Sequence, residues 1–286
     1  MSVSYELRAR MALEKHGFRT THSLGQNFLF DERLLEHLLD MAEVGPDDNI
    51  LEIGPGPGLF TALISQRCNA VTSIELDEKL RPVLETVLED RPNAHLVFGD
   101  AMRLDLGRVA REHMGDGAFR VVANLPYYIT TDVITRLITA GLPISDICVM
   151  VQKEAAERMM SRPGEKRWCA VAAIIDYFGT AEVLCDVPRE AFEPAPHVDS
   201  AFIRISVHEN KPVRAKSDEM MLKVIEAAFH MRRKKLTNNM KALFAMTAEE
   251  AEAALNAAGI DTGIRGEALE ISQLANLSDI LYDIKN

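Results

Sequence analysis

The chain has few of the features that mark disulfide scaffolds, metal-binding modules, fibrous repeats or membrane proteins. Its four cysteines are far apart, form no Cys-x-x-Cys pair and have no histidine at zinc-ligand spacing, so we expect reduced thiols and no metal site. No run of about 18 apolar residues is present, and residues 1–20 contain no apolar core of signal-peptide length. With only 12 prolines and 16 glycines in 286 residues, disorder and fibrous repeats are excluded. We expect a cytoplasmic globular protein.

Positive charge is also scarce, because 32 Lys and Arg stand against 43 Asp and Glu, for a formal net charge of −11. This balance argues against a nucleic-acid-binding protein, since phosphate contacts need Lys and Arg. The stretch FHMRRKKLTNNMK, residues 229–241, nevertheless has five basic residues and no acidic one. It is either a solvated helix face or an RNA-binding patch. In the second case the phosphate contacts are Arg232, Arg233, Lys234 and Lys235, and further candidates are Arg8, Arg10 and Lys15.

Short apolar runs alternate with stretches of helical spacing through the first half of the chain. The predicted strands are residues 49–54, 70–76, 94–100, 120–126 and 144–152. Strands that alternate with helices favour right-handed crossovers and a parallel sheet, so we predict an α/β fold of the doubly wound kind. Two later strands, 180–187 and 199–207, are joined by a Pro-rich loop that is too short for a crossover helix. We expect them to pair antiparallel at the sheet edge.

From about residue 216 onward the pattern is helical only. Helices are predicted for residues 217–231, 247–259 and 272–284, each with a Ser or Thr N-cap at its first position. The sequence therefore predicts two domains. The first, 1–207, contains the sheet and an N-terminal helical extension, and the second, 208–286, is a small all-α RNA-binding domain.

Three successive predicted strands end in groups that suit a nucleoside ligand. Gly54 ends the first strand in a glycine-rich turn, which lets a ligand approach the backbone closely, although G-P-G-P-G departs from the dinucleotide pattern G-x-G-x-x-G. Glu75 ends the second strand, where a carboxylate can accept both hydroxyls of a ribose. Asp100 ends the third, where it can accept from an exocyclic amine of a base or cap a helix. Together they predict a nucleoside site at the carboxyl edge of the sheet.

The fourth strand brings the sequence Asn-Leu-Pro-Tyr to that same edge. The amino group of adenine is a poor nucleophile because its lone pair is delocalised into the ring. The side-chain carbonyl of Asn124 and the backbone carbonyl of Leu125 can each accept one of its N–H bonds and aim the lone pair at an electrophile. Pro126 fixes φ, and Tyr127 offers a flat face to a base that has left its stack. A simple turn with two core tyrosines is the alternative.

At these motifs the chain resembles the ribosomal RNA adenine dimethyltransferase family, most closely its bacterial small-subunit members. The resemblance covers nearly the whole chain and rests on SLGQNFL (23–29), EIGPGPG (52–58), IELD (74–77), GDAM (99–102), NLPYYIT (124–130), VQKEAAERM (151–159), AFEPAPHVDSAFIR (191–204) and FHMRRKKLTNN (229–239). It implies a Rossmann-like class I methyltransferase domain with an all-α C-terminal domain. It also implies S-adenosyl-L-methionine as cofactor and dimethylation of N6 of two adjacent adenines near the 3′ end of 16S rRNA. The implied partner is an immature 30S subunit, and the implied protein is a monomer.

The resemblance assigns roles to individual residues. The implied cofactor ligands are Asn27, Leu29, Gly54, Glu75, Asp100 and Asn124, of which Asn27 and Leu29 lie toward the methionine end. The implied catalytic residues are Asn124, Leu125, Tyr127 and Phe192, with the last two on either side of the target base. Asn27, Leu29 and Phe192 rest mainly on the resemblance, and Phe192 also fits a core aromatic.

The expected reaction is an in-line displacement in which the adenine N6 attacks the methyl group of the cofactor, with catalysis by positioning and hydrogen-bond polarisation. It requires no metal, covalent nucleophile or dedicated base. Two alternatives remain open. One is a methyltransferase of the same fold that acts on 23S rRNA or on adenine in DNA, and the other is a ribosome-assembly factor that binds the small subunit without catalysis.

Overall fold

The computed structural model describes residues 3–19 and 26–285. Residues 23–25 of the segment SLGQNFL therefore lie outside the described residues. No helix within this part of the chain is long and apolar enough to cross a membrane. The same part contains no group of three or more His, Cys, Asp or Glu side chains that could hold a metal ion.

The chain forms two compact units. Residues 1–156 and 182–207 make the first unit, and residues 157–181 and 208–286 make the second. The predicted boundary after residue 207 coincides with one of the breaks. The segment 157–181, which the sequence placed in the first domain, belongs to the second unit instead.

The helix Ala170–Phe178 gives the reason, because it is almost entirely apolar and packs against other helices of the second unit. The division into functional domains at residue 207 stays a prediction.

A seven-stranded sheet forms the centre of the first unit. The strands of the described residues are β1 (Phe28–Leu29), β2 (Asn49–Ile53), β3 (Ala70–Glu75), β4 (Ala94–Phe98), β5 (Phe119–Asn124), β6 (Ile144–Gln152), β7 (Gly179–Val187), β8 (Phe192–Glu193) and β9 (Ser200–Val207). The order in the sheet is β4-β3-β2-β5-β6-β9-β7. Strands β2 to β6 are parallel to their neighbours within this group, which confirms the predicted doubly wound α/β fold.

The helices of the first unit are α1 (Tyr5–Lys15), α2 (Glu32–Met41), α3 (Leu59–Ser65), α4 (Arg81–Val87), α5 (Leu106–Met114) and α6 (Thr130–Thr139). Helix α7 (Lys153–Met159) begins in the first unit and ends in the second, since the break falls after residue 156. Helices α3 and α5 pack on β3, and α6 packs on β6. The central strands are apolar on both faces, as buried parallel strands require. Ile50, Val71, Val121 and Ile147 are fully buried.

The edge of the sheet is antiparallel. Strand β9 pairs antiparallel with β6, and β7 lies beside β9. Beyond one end of this pair, the backbone N–H of His208 donates to the carbonyl of Phe178 at 2.8 Å. Beyond the other end, the backbone N–H of Arg189 donates to the side chain of Asp199 at 3.1 Å, so β7 and β9 run in opposite directions. The predicted antiparallel pair at the edge is therefore confirmed. The loop between them contains β8, which pairs with β1 in a separate two-stranded ribbon.

The second unit is helical. Its helices after α7 are α8 (Ala170–Phe178), α9 (Asp218–His230), α10 (Leu236–Phe244), α11 (Ala248–Ala257) and α12 (Ile271–Lys285). Two predicted N-caps are confirmed, because the Ser217 side chain accepts from Met220 N–H and Thr247 forms a capping box with Glu250.

The third predicted cap, Ser272, is wrong. Helix α12 already begins at Ile271, and the side chain of Gln273 accepts a hydrogen bond from the backbone N–H of Glu270. The amide oxygen of Gln273 thus satisfies an N–H at the start of the helix, so Ser272 lies within the first turn.

Candidate functional site

A cavity of about 770 Å³, including its open mouth, lies at the carboxyl edge of the parallel strands. Its volume falls in the range of small-molecule sites, about 300 to 1,000 Å³. Its lining residues come from β1, from the ends of β2, β3 and β5, and from the turns that follow them. They are Gln26, Asn27, Phe28, Leu29, Glu52, Gly54, Pro55, Gly56, Pro57, Leu59, Phe60, Glu75, Leu76, Asn124, Leu125, Pro126, Tyr127 and Tyr128. The structure thus brings together all the predicted site residues of the first unit except Asp100 and Phe192.

The glycine-rich turn after β2 forms the floor of the cavity. Gly54 has φ of +75° and Gly56 has φ of +56°, a region that residues with a Cβ rarely adopt. A Cβ on Gly54 would lie 3.3 Å from Cδ of Pro126, and one on Gly56 would lie 2.9 Å from a ring carbon of Phe28. A side chain at either position would press on a wall of the cavity. The turn therefore needs glycine for both its backbone shape and its open space.

Glu75 is the last residue of β3 and is buried against the cavity. One carboxylate oxygen accepts from the backbone N–H of Asp77 at 2.8 Å, and the other accepts from that of Gly56 at 3.2 Å. Burial raises the pKa of Glu75, and the two backbone hydrogen bonds oppose that shift. Each oxygen keeps lone-pair capacity for a further donor. The carboxylate is thus held in place and can accept two ligand hydroxyls.

Asp100 does not line the cavity. It lies two residues beyond the end of β4, where its side chain accepts from the N–H of Met102 at 2.8 Å and pairs with Arg103 at 3.3 Å. This is the turn-capping role that the sequence left open. Asp100 nevertheless lies close to the site. The pKa of Tyr128, at the mouth of the cavity, is raised mainly by burial of its hydroxyl and, after that, by the negative charge of Asp100.

Asn124 ends β5 and faces β1. Its side-chain Nδ2 donates to the backbone carbonyl of Asn27 at 3.3 Å. This contact fixes the amide, so that Oδ1 is the atom left to accept from a ligand. The side chain of Leu125, the next residue, is buried. Its neighbour Pro126 accepts through its carbonyl from the hydroxyl of Thr130 at 3.1 Å, which anchors the turn to α6.

Tyr127 and Phe192 contact each other, as the predicted pair requires. Their ring centroids are 6.5 Å apart and their planes differ by 68°. Phe192 is only 2% exposed and belongs to the hydrophobic core. A base between two parallel rings requires a separation of about 7 Å, twice the contact distance of carbon atoms. The rings are thus adjacent but meet edge to face, and one of them must turn before a base can enter.

The sequence assigned no role to Glu52, although it lines the cavity and is 1% exposed. Its Oε2 accepts hydrogen bonds from Thr61 at 2.5 Å and from Ser73 at 2.6 Å. Burial raises the pKa of Glu52 to about 7, against the opposing effect of these two hydroxyls. One feature of the sequence could have identified Glu52, because it is an acidic residue inside an otherwise apolar strand. Such residues are rarely buried unless they are paired or functional.

The four predicted phosphate contacts lie in the second unit, in the turn between α9 and α10. They are exposed, but they do not form a helix face. Arg232 donates to Glu267 at 2.8 Å and to the carbonyl of Lys166 at 3.0 Å. Among the described residues, Arg233, Lys234 and Lys235 form no ion pair. The turn therefore presents unpaired positive charge at three of the four positions.

The further candidates near the start of the chain are mostly engaged with acidic residues. Arg8 pairs with Asp90 at 2.6 Å. Arg10 donates to both carboxylate oxygens of Glu193, at 2.9 and 2.7 Å. These guanidinium groups attach α1 to the rest of the first unit and have less capacity for phosphate than the sequence suggested.

The charged side chains that line the cavity determine whether it favours a positively or a negatively charged ligand. Two buried carboxylates, Glu52 and Glu75, line it, and none of its described lining residues is Lys, Arg or His. Such a site disfavours the pyrophosphate of a dinucleotide and favours a ligand with a positive charge and hydroxyl groups. The positive sulfur and the ribose of S-adenosyl-L-methionine fit both requirements.

Comparison with known proteins agrees with this geometry. Residues 17–283 match the family described as ribosomal RNA adenine dimethylase. Proteins named ribosomal RNA small subunit methyltransferase A are similar to the chain. The one from Streptococcus thermophilus is 40% identical, with 96% of each chain covered. The one from Bacillus pumilus is 39% identical, with 98% of this chain and 97% of the relative covered.

Two solved structures share the fold. The 23S rRNA methyltransferase ErmE has a TM-score of 0.62 and 27% identity, with 90% of this chain and all of that chain covered. A dimethyladenosine transferase from Plasmodium falciparum has a TM-score of 0.70 and 21% identity, with 87% of this chain and 95% of that chain covered.

Proposed function

Since the chain belongs to the ribosomal RNA adenine dimethylase family, we propose that it dimethylates N6 of two adjacent adenines near the 3′ end of 16S rRNA, with S-adenosyl-L-methionine as the methyl donor. One observation carries the proposal. The acceptor oxygen of Asn124 lies in a cavity that contains two buried carboxylates and no basic lining residue among those described. The cavity therefore combines a site for a cationic cofactor with acceptors for an amine.

The residues that would hold the cofactor are Asn27, Leu29, Gly54, Glu75, Asp100 and Asn124. When bound, S-adenosyl-L-methionine supplies a methyl group on a positively charged sulfur, which makes that methyl electrophilic. Glu75 is oriented by two backbone N–H groups and accepts the ribose hydroxyls. Asp100 approaches the adenine from outside the cavity lining, beside Tyr128. Gly54 leaves the floor open, and Asn27 and Leu29 form the wall toward the methionine end.

Asn124 and Leu125 act on the target amine. The Oδ1 of Asn124 and the backbone carbonyl of Leu125 accept the two N–H bonds of N6, which favours a pyramidal nitrogen with its lone pair directed outward. Because the amide of Asn124 is fixed by Asn27, its oxygen needs no reorganisation before the reaction. The proton leaves to water after transfer.

Tyr127 and Phe192 hold the target base. A base that leaves its stack loses a few kcal/mol, and an aromatic platform restores about 1 to 3 kcal/mol. The edge-to-face contact of the two rings fills the space when no base is present, and the base replaces that contact.

The RNA is bound by phosphate contacts from Arg232, Arg233, Lys234 and Lys235. The partner is an immature 30S subunit in the cytoplasm, to which the protein binds as a monomer. Small-subunit RNA is favoured over 23S RNA because the relatives named for the small subunit are 39–40% identical over nearly the full length, whereas the 23S enzyme is 27% identical.

The test is to incubate the protein with labelled cofactor and, separately, undermethylated 30S particles, 23S rRNA and duplex DNA. Mass spectrometry of the digested nucleic acids then locates the methyl groups. We expect dimethyladenosine only in the 16S rRNA of the 30S particles. Methyl groups only in 23S rRNA or DNA would overturn the substrate, and binding to 30S particles without any transfer would indicate a non-catalytic assembly role.

A further inference from the structure

The hydroxyl of Tyr127 is hydrogen-bonded to the hydroxyl of Ser200 at 2.6 Å. Ser200 is the first residue of β9, is fully buried, and pairs in register with Gln152 at the end of β6. Its position is thus set by the central sheet. Tyr127 is therefore fixed at two points, by its backbone in the turn after β5 and by its hydroxyl on β9.

The next residue along the chain provides a contrast. Tyr128 lines the same cavity, is 53% exposed, and has no hydrogen-bond partner for its hydroxyl among the described residues. Two adjacent tyrosines in one turn thus differ in how firmly their side chains are held. Only the ring that faces Phe192 is held by a buried partner.

The hydrogen bond also restricts how the Tyr127 ring can move. Tyr127 and Phe192 meet edge to face, so one ring must turn for a base to lie between them. The Tyr127 ring can turn about its Cβ–Cγ axis without moving its hydroxyl, which lies on that axis. A displacement of the whole ring, however, would break the bond to Ser200 and leave the buried Ser200 hydroxyl without that partner, which costs more than the bond itself contributes.

We propose that Ser200 is a positioning residue that holds the Tyr127 ring as the fixed wall against which the target adenine stacks. This inference rests on the proposed function, because it assumes that Tyr127 contacts the base. Ser200 itself touches neither the base nor the cofactor. Its removal should lower methyl transfer to RNA and leave cofactor binding unchanged.

The experiment compares Ser200→Ala, Tyr127→Phe and the double variant with the unaltered protein. The measurements are kcat and KM for undermethylated 30S particles, Kd for S-adenosyl-L-methionine, and Tm. Both single variants remove the same hydrogen bond, so each should reduce kcat/KM for the particles by about 5-fold to 10-fold. The double variant should lose no more than either single variant, while Kd for the cofactor stays within about 2-fold.

Ser278→Ala is the matched control. Ser278 is equally buried, but its hydroxyl has no hydrogen-bond partner in the part of the chain that the structure describes, so its removal should leave kcat/KM unchanged. If Ser200→Ala yields no folded protein, Tyr127→Phe tests the same bond from its other end and should show the same loss.

Three results would overturn the proposal. They are full activity of Ser200→Ala or Tyr127→Phe, losses that multiply in the double variant, and a fall in cofactor affinity equal to the fall in kcat/KM. The unaltered protein separates this proposal from the proposed function. If it transfers no methyl group to 30S particles, the function is wrong. If it does so and the variants match it, only the role of Ser200 is wrong.

Discussion

At the carboxyl edge of the sheet, the side chains assigned to the cofactor and the target base are buried or partly buried, and two of them are held by backbone groups. Glu75 accepts from two backbone N–H groups, and Asn124 donates to a backbone carbonyl. In the turn between α9 and α10, the assigned side chains are exposed, and among the described residues only Arg232 forms an ion pair, with Glu267. The strand topology sets the positions of the first group, whereas three of the four side chains in the second group are unpaired. Substitutions at the edge should therefore have large, specific effects, and those in the turn should have small effects that depend on salt.

The largest effect is expected at Asn124. Asn124→Ala removes a fixed acceptor from the reacting amine, and loss of one such group lowers turnover by about 100-fold to 1,000-fold. We expect this loss in kcat for 30S particles, with a smaller change in Kd for the cofactor. Asn69→Ala is the control, because Asn69 is exposed and its side chain donates to Asn49. If the kcat of Asn124→Ala stays within about 3-fold of that of the unaltered protein, Asn124 takes no part in the methyl transfer.

The second prediction concerns Glu52, the most buried acidic group of the cavity. Its pKa is about 7 in the folded protein against an ordinary value of 4.5. Below pH 4.5 both folded and unfolded chains carry the proton. Between pH 4.5 and about 7 only the unfolded chain releases it, so the stability from Glu52 falls as pH rises through this window and is lost above it.

The expected size of this loss is about 3 kcal/mol. The free energy of unfolding, measured with denaturant at pH 5 and pH 8, should fall in the unaltered protein. In Glu52→Gln the fall should be smaller by this amount. Glu36→Gln, at an exposed position, should decline like the unaltered protein. Equal declines in all three proteins would mean that Glu52 is ionised throughout.

The third prediction separates Glu75 and Asp100, two acidic residues that have parallel roles in the predicted nucleoside site. Glu75→Gln replaces one acceptor oxygen of a buried carboxylate that faces the cavity, so Kd for the cofactor should rise by about 10-fold to 100-fold. Asp100→Asn keeps an acceptor at a half-exposed position outside the cavity lining, so the rise should be no more than about 3-fold. Isothermal titration of both variants decides the order. A larger rise in Kd for Asp100→Asn than for Glu75→Gln would mean that the contact to the adenine contributes more to cofactor binding than the contact to the ribose.

The sequence predicted the strand ends well because parallel strands bring their carboxyl ends to one edge whatever the details of packing. Gly54, Glu75 and Asn124 follow from that rule, and all three line the cavity. Asp100 is displaced because its turn continues for two residues beyond β4, which a strand pattern does not determine. The burial of Phe192 depends on the pairing of β8 with β1, and a two-residue strand has no recognisable pattern.

Contacts between distant residues could not be predicted. Ser200 and Tyr127 are 73 positions apart, and their contact depends on β9 lying beside β6. Likewise, no rule of spacing predicts that Arg10 reaches Glu193 or that Arg232 reaches Glu267. Hence the residue types that reach the edge could be predicted from the sequence, whereas the basic side chains that remain free could not.

The smallest effects are expected in the turn between α9 and α10. Neutralising Arg233 and Lys234 together, as Gln, should reduce the slope of log Kd for RNA against log salt by about 1.4, because each phosphate contact on single-stranded RNA contributes about 0.7. Arg232→Gln should change the slope less, since its guanidinium already binds Glu267 and the carbonyl of Lys166. Lys223→Gln, which removes an exposed lysine paired with Glu219 on α9, is the control and should leave the slope unaltered. Filter binding to a 16S rRNA fragment at several salt concentrations gives all four slopes. If Arg232→Gln proves equal to the double variant, the Glu267 pair opens on binding, and exposure rather than ion pairing decides which cations reach the RNA.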